Sequence, residues 1–145
     1  MTAGTLGSMS TFYSIDAANA LVTDLAAVTG RLRDRRAELI ALRDAYRERE
    51  AVVAGGVPGA GDNDAELRRL NLRMRGIVDQ MQGEVAWLDE RSIVLREIAT
   101  GLLDLPALVA GRQVWLCWRL GEDDFAWWHE LETGFAGRRP LAELA

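Results

Sequence analysis

The stretch Val114-Trp-Leu-Cys-Trp-Arg-Leu-Gly-Glu-Asp-Asp-Phe-Ala-Trp-Trp-His-Glu-Leu131 decides the fold class. Two runs rich in tryptophan and other β-preferring residues flank Gly121-Glu-Asp-Asp124, which is the pattern of an antiparallel hairpin. Side chains alternate between the two faces of a strand. Val114, Leu116, Trp118 and Leu120 therefore share one face of the first strand, and Trp115, Cys117 and Arg119 share the other. In the second strand Phe125, Trp127, His129 and Leu131 oppose Ala126, Trp128 and Glu130. A connection with an even number of residues puts both apolar sets on one side. An odd one would expose more tryptophan, so the even register is expected. On that register His129 lies within the buried face near Leu116 and Trp118, and Cys117 points away from it. A Cys–His nucleophilic pair is disfavoured accordingly.

Working back along the chain, Ile93-Val-Leu-Arg-Glu-Ile98 is rich in β-branched residues and too short for an independent helix. Gly101 and Pro106 punctuate the next stretch, and the whole region reads as a small antiparallel β-sheet of two to four strands. Before residue 90 the period is helical. Ser14 suits an N-cap, and Ala18, Leu21, Leu25, Val28, Leu32, Leu39, Leu42, Tyr46 and Val53 recur at steps of three and four. The spacing predicts one helix from Ile15 to Val53, about 58 Å long at 1.5 Å per residue. Ala54-Gly-Gly-Val-Pro-Gly-Ala-Gly-Asp-Asn-Asp64 then forces a loop. A second helix is expected from Asp62 or Asp64 to Asp89, about 40 Å long, with Leu67, Leu70, Met74, Ile77, Val78, Met81, Val85 and Leu88 on its seam. The fold class is α+β: a long antiparallel helical hairpin, coiled-coil-like, followed by a small antiparallel β-sheet. Residues 1–10 read as a flexible N-terminal segment and 11–145 as one domain. Within it the helical hairpin covers 15–90, the β portion 91–135 and a C-terminal tail 136–145.

Composition narrows the function classes. The chain has 145 residues, 49% hydrophobic and 27% charged, the balance of an ordinary globular protein. It carries 17 basic and 22 acidic side chains, every basic one an arginine, for a net charge of −5. Residues 1–90 hold 11 Arg against 14 acids and residues 91–145 hold 6 against 8, so no basic arm exists to grip phosphates. Nucleic acid is not an expected partner. No apolar run approaches the roughly 18 residues that span a bilayer, so no membrane partner is expected either. The N-terminal stretch lacks the charged and apolar regions of a secretory signal, which points to a cytoplasmic location. One cysteine and one histidine exclude a disulfide framework, a multi-cysteine zinc site and a histidine-rich cage.

Several motifs occur together in order: Tyr13-Ser-Ile-Asp-Ala-Ala-Asn-Ala-Leu21, Gly101-Leu-Leu-Asp-Leu-Pro-Ala107, Leu116-Cys-Trp-Arg-Leu-Gly-Glu122, Trp128-His-Glu130 and Gly134-Phe-Ala-Gly-Arg138. The set resembles the prokaryotic domain of unknown function family 2203, over about residues 11–141. The family has Asp-Phe-Pro where this chain has Asp104-Leu105-Pro106, a conservative departure. It usually has a proline where this chain has Thr23, which suggests a straighter start to the first helix. The resemblance implies an architecture and no particular activity.

Two site chemistries are open to the C-terminal region. Asp104, Glu122, Asp123, Asp124, His129, Glu130 and Glu132 gather carboxylates around one imidazole, a ligand set that suits zinc, manganese or iron. His129 with Glu122 or Asp104, then Glu130, are the expected ligands, although a solvated hairpin tip and a core histidine would leave the same sequence trace. Arg138 and Arg139 follow a glycine-bracketed turn and could hold a small anion. Trp115, Trp128 and Arg119 are candidate interaction residues. The helices offer a different class of role. The first outruns the second by about 18 Å at the same rise per residue, and a homodimer would cover the surplus seam, with Arg35 and Arg49 snorkelling or meeting acids of a partner helix. The expected function is a protein-interaction or scaffold module that dimerises through its helical hairpin. The alternative is a divalent-metal or small-anion binding protein, or a metal-dependent enzyme, with its site in the β-hairpin.

Overall fold

The hydroxyl of Ser14 accepts the N–H of Ala17 at 3.0 Å and opens the first helix, α1 (Ile15–Ala20). The computed structural model describes residues 11–56 and 64–144; the expected flexible segment 1–10 and residues 57–63 of the expected loop lie outside them. The single first helix of the sequence reading is two segments, because α1 ends at Leu21 and α2 runs over Val22–Ala54. The Leu21 N–H bonds to Ala18 O at 3.0 Å, a tightened turn, and Leu21 O then accepts from Leu25 N. The next helix, α3 (Ala65–Asp89), starts on Asp64, whose Oδ1 accepts the Leu67 N–H at 3.0 Å. A carboxylate there also meets the positive end of the helix dipole. Among the described residues no helix is long and apolar enough to cross a membrane.

The chain divides into two compact units, Asp34–Gly83 and the combination of Met1–Arg33 with Glu84–Ala145. In the first, Leu42, Leu70 and Ile77 form a buried cluster with Leu39, Tyr46, Met74 and Met81 against it. Arg35 Nε meets Gln80 Oε1 at 3.1 Å, Arg73 meets Glu38 at 2.7 Å and Arg49 meets Asp64 at 2.6 Å. Partner numbers fall as the α2 numbers rise, so the helical segments run antiparallel. The two seam arginines thus find polar partners on the facing helix of their own chain. Pairs this exposed contribute at most about 1 kcal/mol each, so the apolar cluster does most of the holding.

The second unit carries the sheet. Its strands are β1 (Val94–Glu97), β2 (Leu102–Val109), β3 (Arg112–Arg119), β4 (Trp127–His129) and β5 (Arg139–Pro140), paired antiparallel in that order. The fold is α+β. The sheet has five strands rather than two to four, because β5 is two residues long and leaves no alternation in the sequence. Leu103, Leu105, Ala107, Val114, Leu116 and Trp118 share one face and are almost wholly buried. Burial of each large side chain there is worth about 1.5–3 kcal/mol. Ala18, Leu25, Thr29, Leu32 and Leu88 of the same unit are buried as well. Helix and sheet approach closely at Gly101, where an added Cβ would stand 2.6 Å from Leu120 Cβ and 3.2 Å from Thr29 Cβ.

The β3–β4 register corrects the sequence reading. Trp115 faces His129, Leu116 faces Trp128 and Cys117 faces Trp127, so residues 120–126 form an odd connection. Cys117 and His129 therefore lie on the same face of the sheet. The expectation assumed one buried face and one wet one. Here β3 lies between β2 and β4, and Leu116, Cys117 and Trp118 are all buried. With both faces covered, burial no longer selects the register. The connection is fixed instead by its own anchors. Phe125 is buried near Trp118, its N–H bonded to Asn19 Oδ1 at 2.6 Å, and Trp118 Nε1 donates to Glu122 O at 3.1 Å.

Gly101 has φ +66° and no room for a Cβ, whereas Gly111 has φ +82° and open space around it. Gly111→Ala should cost about 1–2 kcal/mol, the left-handed penalty alone. Gly101→Ala should cost clearly more. Urea unfolding of both variants measures the difference, and equal losses would contradict the close helix–strand approach.

Candidate metal centre

Asp104 on β2 stands directly across from Cys117 on β3. The connection between these strands, Ala110-Gly111, has φ of 51° and 82°, a two-residue turn that fixes the pairing over its whole length. His129 on β4 pairs with Trp115 and so falls two residues along on the same face. An oxygen of Asp104, the sulfur of Cys117 and a ring nitrogen of His129 all lie within 4.8 Å of one another, and all three residues are buried. One carboxylate, one thiol and one imidazole from three adjacent strands therefore converge.

The hydrogen bonds around this group leave a gap. His129 Nδ1 is 2.7 Å from Glu130 O. A carbonyl only accepts, so Nδ1 carries a proton and donates it there. His129 Nε2 lies 3.0 Å from Asp104 Oδ2. An ionised carboxylate also only accepts, so this approach needs a proton held between the two atoms or a cation bound by both. Arg96 Nε donates to the same Oδ2 at 2.7 Å. Arg96 is the extra residue of a β-bulge, since Leu95 pairs with Leu103 and Glu97 with Leu102. The other oxygen, Asp104 Oδ1, is buried and accepts no hydrogen bond. Leaving such an atom unmatched costs about 1–3 kcal/mol.

Cys117 is not an activated nucleophile. Burial first, then the Asp104 charge, push its thiol up to about 12, against the opposing pull of Arg138. Both His129 nitrogens are engaged elsewhere, so no imidazole base addresses the sulfur, and the carboxylate beside it, Asp104, raises the thiol rather than lowering it. As a metal ligand the same residue behaves differently, because coordination removes the thiol proton outright.

Of the expected ligands, Asp104 and His129 come together. Glu122 is held by Arg138 instead, at 2.9 and 2.8 Å, and its Oε1 also accepts the Arg119 N–H. Burial would raise its carboxyl, but these bonds keep it below the usual carboxylate range. Glu130 pairs with Arg112. The two expected anion ligands separate: Arg138 goes to Glu122, while Arg139 pairs with Glu143 at 3.0 Å and lies over Trp128. Their neighbours explain this, because Trp127 and Trp128 point to opposite sides of β4. Trp115 is half-buried beneath Arg96, Trp128 is buried, and exposed Arg119 lies over Phe135. The candidate ligand that sequence reasoning missed is Cys117, and Ala110-Gly111 was the signal that could have found it. A hairpin closed on that dipeptide pairs Asp104 with Cys117.

The model of the family described as Uncharacterized conserved protein (DUF2203) matches residues 11–141. The chain belongs to that family. The match takes in all five strands and the converging Asp104, Cys117 and His129. No curated relative and no solved structure matches the chain.

Proposed function

We propose that this DUF2203 protein binds a divalent transition metal through Asp104, Cys117 and His129, with zinc the ion the donors suit best. The observation that supports this most is the incomplete pairing at Asp104, where Oδ1 is buried without a partner and Oδ2 faces the Nε2 of His129. Ligand atoms about 2.0–2.1 Å from a tetrahedral ion stand roughly 3.3 Å apart, close to the 3.0 Å between Oδ2 and Nε2. The bond from His129 Nδ1 to Glu130 O is the outer contact that orients metal-ligating histidines. A thiolate beside imidazole and carboxylate favours zinc or iron and disfavours manganese. The carboxylate and thiolate together balance the charge of the ion.

Three protein ligands leave a fourth position for water or a substrate, the pattern of catalytic rather than structural zinc. There the metal would supply Lewis acidity or a bound hydroxide. The protein's own share is to hold the ligands: Arg96 steadies the carboxylate, Glu130 O fixes the imidazole tautomer, and the surrounding strands exclude bulk water. A thiol ligand suits a reducing compartment, which supports a cytoplasmic location.

Elemental analysis of the full chain, after zinc loading and dialysis, should find one ion per chain. Cys117→Ser and His129→Ala should drop it to background while the circular dichroism of the fold persists. No retained metal in the wild-type chain, or full retention in both variants, would contradict the reading.

A second reading, an interaction module that forms homodimers, is supported by apolar exposure within the Asp34–Gly83 unit. Val52 is 61% and Leu72 66% exposed, and Leu39, Met74 and Val78 line a groove with Asn71, Arg75 and Asp79. Light scattering over a dilution series should return twice the chain mass; a strict monomer at every concentration would contradict it.

A further inference from the structure

Arg138 is held more tightly than any role in neutralising Glu122 requires. Its side chain is only 10% exposed. It is flanked by the rings of Trp127 at 5.2 Å and Phe135 at 4.6 Å. Nη1 and Nη2 form a fork on the two oxygens of Glu122, and Nη2 also lies 3.4 Å from Cys117 O. The guanidinium charge also lowers the Cys117 thiol against the pull of burial. Its Nε–H is buried and has no acceptor.

Two buried side-chain atoms among the described residues lack a partner, Asp104 Oδ1 and Arg138 Nε. Cys117 lies between their residues, paired with Asp104 across the ladder and with its carbonyl oxygen 3.4 Å from Arg138 Nη2. One atom lacks a donor and the other lacks an acceptor. A thiol answers both needs only weakly, since its sulfur is a weak acceptor and its S–H a weak donor. Metal loading would change both. The ion would engage the carboxylate, the thiol proton would leave to solvent as the S–metal bond formed, and the sulfur would become a charged acceptor.

We infer that Arg138 is a positioning residue of this site, donating a guanidinium N–H to Cys117 Sγ once the sulfur is a metal-bound thiolate, with Glu122, Trp127 and Phe135 holding it in place. The inference rests on the metal reading above. Outer contacts of this kind tune the ligand they touch, and their loss typically weakens metal binding about 10–100-fold. An N–H on the thiolate withdraws charge from sulfur, so its removal also lowers the energy of thiolate-to-metal charge transfer.

Cobalt(II) titration of the full chain tests this, with the near-ultraviolet thiolate-to-cobalt band as the readout. Wild type should show the band. Arg138→Gln should bind cobalt about 10–100-fold more weakly, with the band moved to longer wavelength, a change that mere loss of stability would not produce. An unchanged affinity and band in Arg138→Gln would overturn the inference and leave the metal site standing. Absence of any sulfur band in wild type would overturn the metal reading itself. Should the variant fold poorly, NMR of the wild-type chain gives an independent answer. Zinc loading should move the Arg138 Nε–H resonance downfield and slow its exchange, and an unmoved resonance would overturn the inference.

Discussion

A carboxylate buried in the middle of a β-sheet is the constraint on which the site depends. Asp104 is 1% exposed on a strand whose neighbours in sequence, Leu103 and Leu105, are core residues. A charge placed there is costly unless it is matched. The surroundings supply that match piece by piece: a bulge that delivers Arg96, a register that delivers His129, and a cross-strand partner in Cys117. The match stops short at Oδ1. Among the described residues the other buried side-chain atom without a partner, Arg138 Nε, belongs to a guanidinium that reaches Cys117 O, so both gaps fall where three potential ligands meet.

The same constraint explains why the two faces of the sheet differ. The face bearing Leu103, Leu105, Val114, Leu116 and Trp118 is apolar at its centre, where it needs only close packing, and carries Arg112 and Arg139 at its margins. The other face bears Asp104, Cys117 and His129 at its centre, with arginines stacked on tryptophans around them. Arg96 over Trp115 and Arg138 over Trp127 leave their stems on apolar rings while their heads reach carboxylates. Use of arginine alone suits this arrangement, because a planar guanidinium stacks and forks at once where an ammonium cannot.

The elements were legible in the sequence where a period was long enough to read. Leu42, Leu70 and Ile77 stand on the seams that spacing assigned them, and Ser14 caps the helix it was expected to cap. The strand of Trp115 and Trp118 was equally plain. What alternation could not supply was register. It pairs residues only when one face is wet, and β3 has no wet face over Leu116–Trp118. The bulge at Arg96 and the two-residue strand Arg139–Pro140 leave no periodic trace at all. The site was half legible for the same reason. Asp104 and His129 were found by residue type, and Cys117 was set aside by a register that the protein does not use.

The most direct measurement is X-ray absorption at the zinc edge of the zinc-loaded full chain. A site of Asp104, Cys117 and His129 gives a four-coordinate shell with one sulfur at about 2.3 Å and the remaining nitrogen and oxygen ligands at about 2.0–2.1 Å. A shell with no sulfur, or a six-coordinate shell of oxygens, would contradict it.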